Sequence, residues 1–190
     1  MPLLAADDPL PHRPARVLVA GTSGSGKTTL AARIGALLDL PHVELDALFH
    51  GPGWTPRPQF RADVEGFSAG PRWVTEWQYE AVRPLLADRA DLLVELDLAR
   101  AVVLARVVRR TLTRRLRREQ LWNGNVEPPV RTLLTDPEHI VRWAWRTHGS
   151  TAVRVEELRG RRPELVVVRL TGRREVARWV AGPLAAATAR

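Results

Sequence analysis

The 190-residue chain has no cysteine, one methionine, one tyrosine, three phenylalanines and, among 29 basic side chains, a single lysine. Without thiols there are no disulfides and no cysteine-based metal sites, and the composition suits a reducing cytoplasm. No apolar run approaches the ~18–20 residues that cross a membrane. Residues 1–14 carry four prolines, Asp7 and Asp8, and lack the apolar core of a signal peptide. A cytoplasmic protein with no membrane partner is therefore expected.

What remains is ordinary globular composition, 45% hydrophobic and 26% charged, in a length that suits one domain. Residues 1–14 read as a flexible tail and 15–190 as a single domain. Charge is unevenly spread. Residues 1–99 hold 9 basic and 13 acidic side chains, whereas residues 100–190 hold 20 and 8. Such a basic half points to a polyanionic partner: a nucleotide, a phosphate-bearing substrate or nucleic acid. The one lysine, Lys27, stands in a chain that otherwise uses arginine, and so marks a position where a slender ammonium on a flexible stem is needed.

Apolar runs at Arg16–Ala20, Val43–Leu45, Arg72–Thr75, Leu92–Leu96 and Leu165–Leu170 read as buried strands. Helical patterns lie between them, over Lys27–Leu38, Gln59–Ser68, from Leu98 onward, from about Pro137 to Arg159, and Glu175–Val180. Strands alternating with helices predict an α/β fold with a five-stranded parallel sheet flanked by helices. On the helix from Leu98, Leu104, Val108, Leu112 and Leu116 form an apolar stripe, with Arg106, Arg110, Arg114 and Arg117 beside it.

Gly21-Thr22-Ser23-Gly24-Ser25-Gly26-Lys27-Thr28 fits G-x-x-x-x-G-K-[ST], after a strand and before a helix, which predicts a phosphate-binding loop. Glycines let the backbone wrap an anion with its N–H groups inward, and the helix adds the partial positive charge of its N-terminus. Lys27 is expected on the β- and γ-phosphates of ATP, Thr28 on Mg²⁺, and Thr29 within the same nucleotide site. Seven arginines lie between Arg106 and Arg118 without one acid. They would repel one another unless an anion joins them, and Arg106 and Arg110 are taken as phosphate-binding and catalytic. Asp46, after the second strand, stands where α/β folds bind ligands. It can orient or deprotonate an acceptor hydroxyl, or serve as a turn or cap aspartate.

These residues resemble the adenylate-kinase-like small P-loop kinases, above all their compact members called topology modulation proteins. The likeness covers most of residues 16–180. It rests on Arg16 to Trp54, including Leu45-Asp46-Ala47-Leu48-Phe49, and on Leu93-Val94-Glu95-Leu96-Asp97 followed by Arg106 and Arg110. It implies an ATP- and Mg²⁺-dependent phosphotransferase with Lys27, Asp46, Arg106 and Arg110 in catalysis. It places Arg173, in Thr171-Gly172-Arg173-Arg174, beside the adenine. Where relatives have Asp-Gly-Asn-Tyr after a tryptophan strand, this chain has Glu76-Trp77-Gln78-Tyr79. Glu76 becomes the expected metal carboxylate with Thr28, and Asp97 its rival. The stretch around Leu121–Asn125, in a short arginine-rich lid over about 111–135, would exclude water. No Gly-Phe-Pro-Arg follows the third strand, so AMP as acceptor lacks its motif. The acceptor is left open between a nucleoside monophosphate and a hydroxyl compound. Alternatives are a nucleic-acid-associated ATPase using the basic half and a nucleotide-binding module without catalysis. The five histidines show no metal or triad spacing.

Overall fold

A computed structural model of the chain describes residues 3–116, 120–125, 145 and 149–189. Its strands are β1 (Leu3–Leu4), β2 (Arg16–Gly21), β3 (His42–Val43), β4 (Trp73–Glu76), β5 (Leu92–Leu96) and β6 (Val166–Leu170). They form one parallel sheet in the order β1-β6-β5-β2-β4-β3, with β2 central. The helices are α1 (Lys27–Leu38), α2 (Leu45–Phe49), α3 (Phe60–Ser68), α4 (Arg83–Arg89), α5 (Arg100–Leu116), α6 (Ser150–Arg161) and α7 (Arg173–Trp179), the last continuing through a wider turn at Val180–Leu184.

The period of two along each strand separates two cores. Val17, Val19, Val94 and Val168 face α1 and the C-terminal helices, with Ile34, Leu38 and Trp179 fully buried there. Leu18, Ala20, Leu93 and Val167 face the other way, onto Phe60, Val64, Leu86, Val155 and Leu158 of α3, α4 and α6. Strands buried on both faces need near-continuous apolar sequence, and that is why they were legible as runs.

The sheet has six strands where five were expected, because the N-terminal segment is not a loose tail. Leu3 and Leu4 pair in parallel with Val167 and Val168, and Ala6 and Leu10 lie in the core. Without β1, the Val-rich β6 would present an open edge. Asp8 fixes the following turn by accepting from the Ala5 N–H at 2.7 Å.

One boundary moves, one helix is added, and one buried stripe differs. Leu45 leaves the predicted second strand and opens α2. Helix α4 has only seven residues, with proline in its first turn, too short to show a 3.6-residue stripe. On α5 the predicted apolar stripe is not the buried one: Val103, Val107 and Thr111 are buried, whereas Val108 is 40% and Leu116 83% exposed. Two adjacent stripes share the i, i+4 spacing, and close approach to the phosphate loop selects the smaller side chains. The predicted helix from Pro137 lies outside the described residues up to Ser150, apart from the exposed Trp145. Arg117 and Arg118 also lie outside them.

An ion chain, buried at its Glu95 end and exposed at Glu156, ties α6 to the sheet. Arg169 on β6 donates to Glu95 on β5 and to Glu156 on α6, both at 2.6 Å, and Glu95 is 1% exposed. Burial raises the Glu95 pKa, with Arg169 acting against it. Arg169 first of all holds the Glu156 pKa down. A raised folded-state pKa costs stability as pH rises past the unfolded value, and a lowered one contributes stability only above it. Both signs make Arg169 matter more at neutral than at acid pH. Arg169→Met is expected to lower unfolding free energy by about 2 kcal/mol at neutral pH, and by clearly less near pH ~4. Urea unfolding checks this, and equal losses at the two pH values would refute it.

Candidate active site

The loop between β2 and α1 emerges at the carboxyl end of the central strand, where parallel α/β sheets bind ligands. Gly26 caps α1 at φ 100°, ψ 24°, a left-handed conformation that glycine adopts without penalty. The buried Ser25 hydroxyl has no hydrogen-bond partner among the described residues. A buried, unsatisfied hydroxyl in a loop that opens a helix fits an oxyanion. The Ser25 carbonyl accepts from Arg106 Nη1 at 2.7 Å, which clamps α5 onto the loop.

One cavity gathers Gly21 through Thr29 with Asp46, Arg106, Arg110 and Arg173, so the predicted nucleotide-site residues share a single space. Lys27 Nζ donates to the Thr22 carbonyl at 3.2 Å. Burial lowers its pKa; the charges of Asp46 and Glu76 oppose that shift and Arg110 adds to it. Lys27, Asp46, Glu76 and Arg110 are thus within electrostatic reach of one another. Burial also lowers the Arg106 pKa, and Arg173 and Arg109 lower it further. Three guanidiniums crowded in this way call for an anion between them. Arg109 and Arg114 line the same cavity; Arg109 was missed in the sequence because it falls outside the four-residue spacing of the stripe.

Asp46 sits in the first turn of α2. Its Oδ1 accepts from Gln78 Nε2 at 2.7 Å and from the Tyr79 hydroxyl at 2.5 Å. The other face of that hydroxyl lies 3.3 Å from His50 Nε2. Burial lowers the His50 pKa, with Asp46 opposing. Phe49 stacks on Tyr79 with centroids 4.3 Å apart, and Trp54 and Trp122 flank His50 at 5.0 and 6.2 Å. Neither histidine of this region carried a sequence signal.

Glu76 is placed differently from the expectation. It is 1% exposed and absent from the cavity lining. Its Oε2 accepts from the Leu45 N–H at 3.3 Å, and its Oε1 lies 3.4 Å from His42 Nε2. Despite desolvation, the hydrogen bond from His42 and the backbone amides leave its pKa lowered. Its visible work is to hold the start of α2 and to face Lys27 as a charge. Asp97 is exposed beyond β5 and outside the lining.

Of the predicted lid, only residues 111–116 and 120–125 are described. Trp122 Nε1 donates to Glu44 at 2.8 Å, and Asn125 Nδ2 to the Gly51 carbonyl at 2.9 Å. Asn123 donates to the His50 carbonyl. This turn closes the cavity beside Asp46. The same cavity is lined by Arg83 at the start of α4 and Arg154 on α6. Burial lowers the Arg83 pKa, the neighbouring Arg154 adds to that, and Glu80 opposes it.

Among the described residues no cluster of three histidines or acids could hold a metal. Mg²⁺ bound with a nucleotide takes most of its ligands from water and phosphate oxygens and one or two from the protein. The Thr28 hydroxyl lines the cavity at the start of α1 and would be one such protein ligand. No helix is long and apolar enough to cross a membrane among the described residues.

No protein-family model matches the chain, and no curated protein does. Solved structures do. A gluconokinase from Sinorhizobium meliloti is 21% identical over 94% of each chain, with a TM-score of 0.50. A sugar kinase from Janibacter is 18% identical over 100% of this chain and 92% of its own, TM-score 0.43. A shikimate kinase from Acinetobacter baumannii is 17% identical over 88% of each chain, TM-score 0.46. At these identities the likeness is one of fold: a parallel sheet flanked by helices, as in the small P-loop kinases.

Proposed function

We propose that the chain transfers the γ-phosphoryl group of Mg-ATP to a hydroxyl of a small acceptor that carries an anionic group. The observation that carries this is one cavity holding both the phosphate loop and Asp46, with Lys27 within electrostatic reach of that carboxylate. A loop that binds phosphates and a carboxylate that can take a proton are the two ends of a phosphoryl transfer. The acceptor oxygen forms its bond to the γ-phosphorus as the bond to the β–γ bridging oxygen breaks. The hydroxyl proton goes to Asp46, and ADP departs. Lys27, Arg106 and Arg110 face the phosphate oxygens and stabilise charge that grows on them. Arg173 borders the nucleotide. Mg²⁺ beside Thr28 would neutralise the β- and γ-phosphates.

Arg83 and Arg154 give the acceptor its class. Two guanidiniums turned into one cavity, with Glu80 as the acid beside them, favour a carboxylate or phosphate on the substrate. Gluconate and shikimate, named by the fold neighbours, are hydroxy acids of this kind, and a nucleoside monophosphate shares the charge. Arg106, Arg109, Arg110 and Arg114 of α5 line the cavity, which supports a nucleotide role for them over an outward nucleic-acid surface.

Purified protein with Mg-ATP and a panel of hydroxy acids, neutral polyols and nucleoside monophosphates tests this. ADP formation is expected to depend on an anionic acceptor. Arg154→Ala is expected to raise the acceptor KM about 10–100-fold, the loss of a charge-assisted contact, with the ATP KM within about twofold. Turnover of neutral polyols alone, ADP release indifferent to acceptor, or stimulation by nucleic acid would each overturn it.

A further inference from the structure

We infer that Tyr79 is a positioning residue for Asp46: its hydroxyl holds Oδ1, so that Oδ2 is the oxygen left to take the acceptor's proton. The inference rests on the phosphotransferase reading and adds a residue that reading does not contain.

Three independent observations support it. The Tyr79 hydroxyl is 2.5 Å from Asp46 Oδ1, and Gln78 Nε2 reaches the same oxygen at 2.7 Å. Two donors on one oxygen fix both the position and the rotation of the carboxylate, leaving the other oxygen's lone pairs for a ligand. Secondly, Tyr79 has φ 61°, a left-handed conformation that costs a side chain of this size about 1–2 kcal/mol. Backbone strain of this kind persists where surrounding structure demands it, and it gathers at functional sites. Thirdly, packing does not explain the hydroxyl. The stack on Phe49 at 4.3 Å and the edge contact with Phe60 at 5.1 Å would be equally served by phenylalanine. Beyond Asp46, the hydroxyl's neighbour is His50 Nε2 at 3.3 Å, and an oxygen that donates to a carboxylate is free to accept from that nitrogen. Lys27 from α1, Glu76 from β4 and His50 at the end of α2 are the titratable groups within electrostatic reach of the Asp46–Tyr79 pair.

Tyr79 is the chain's one tyrosine, so tyrosinate absorbance reports it alone. Burial raises its pKa first, and the charge of Asp46 and the hydrogen bond to it raise it further. In the wild type no tyrosinate is expected before alkaline unfolding. In Asp46→Asn it is expected at lower pH, while circular dichroism still reports the fold. In the kinase assay Tyr79→Phe, which keeps the aromatic stack, is expected to lower kcat about tenfold with the ATP KM unchanged. Tyrosinate appearing at the same pH in wild type and Asp46→Asn would overturn the inference, as would full kcat in Tyr79→Phe. Should Asp46→Asn not fold, the Tyr79→Phe arm decides. If the wild type phosphorylates no acceptor, the phosphotransferase reading falls by itself, and the absorbance arm still judges the Tyr79–Asp46 pair.

Discussion

Lys27→Met is expected to abolish phosphoryl transfer, lowering it by on the order of 10³-fold or more, while leaving the fold intact. The side chain's own structural contact is small, one hydrogen bond from Nζ to the Thr22 carbonyl at 3.2 Å. Methionine is unbranched and of similar length, so the change in melting temperature should be slight. What disappears is the positive charge held between Asp46 and Glu76 on one side and the phosphate loop on the other. ADP formation with acceptor, together with the stabilisation that Mg-ATP gives to thermal unfolding, measures both losses. Lys27→Arg sharpens the test. Elsewhere the chain uses 28 arginines and no lysine, so a site that accepted a guanidinium would be expected to hold one. The planar fork is wider than an ammonium and cannot lie between Thr22 and the phosphates in the same way. Lys27→Arg should therefore be nearly as inactive as Lys27→Met, and wild-type activity in it would make the lone lysine an accident of composition.

The loop proposed to bind phosphate is legible in sequence because its pattern is local: eight consecutive residues, Gly21 to Thr28, lead from the end of β2 into α1. The same holds for the strands, whose burial on both faces leaves no polar alternation to confuse them. The rest of the site depends on contacts between distant residues. Gln78 and Tyr79 meet Asp46 across 32 and 33 positions, and Trp122 reaches Glu44 across 78. Nothing in the local pattern announces such pairs. Arg83 stands at the head of a helix too short for a periodic signal, and Arg154 gains meaning only where the fold brings it beside Arg83 at one cavity. Glu76 shows the converse failure. Its place in the chain suggested a metal carboxylate, but the peptide N–H of Leu45 and the ring of His42 occupy its oxygens, and only the folded backbone brings those groups together. β1 escaped notice because a two-residue strand has no alternation to display.

Gly24→Ala should be the most damaging single-methyl change in the molecule. Gly24 has φ +82°, and a Cβ built there would lie 2.3 Å from Val107 Cγ2 and 3.2 Å from the Val103 carbonyl oxygen. The left-handed backbone costs alanine about 1–2 kcal/mol, and forcing a methyl into packed side chains costs about 1–3 more. A loss of about 3 kcal/mol of stability, or an equal displacement of the loop from α5, is expected. With the loop displaced, ATP affinity should fall at least about 100-fold. Val107→Ala tells the two causes apart. Alone it deletes two buried methyls and is expected to cost about 1–2 kcal/mol. Combined with Gly24→Ala it removes the clashing atom, so the double variant should be more stable than the sum of the single losses by at least about 1 kcal/mol, as measured in a double-mutant cycle. ATP affinity should recover only in part, because the backbone strain remains. Strict additivity would mean that α5 does not bear on the loop. Coupling would mean that the helix carrying Arg106 and Arg110 is seated on the phosphate cradle through Val103 and Val107. A nucleotide that orders the loop would then also set the position of the two arginines that meet its phosphates.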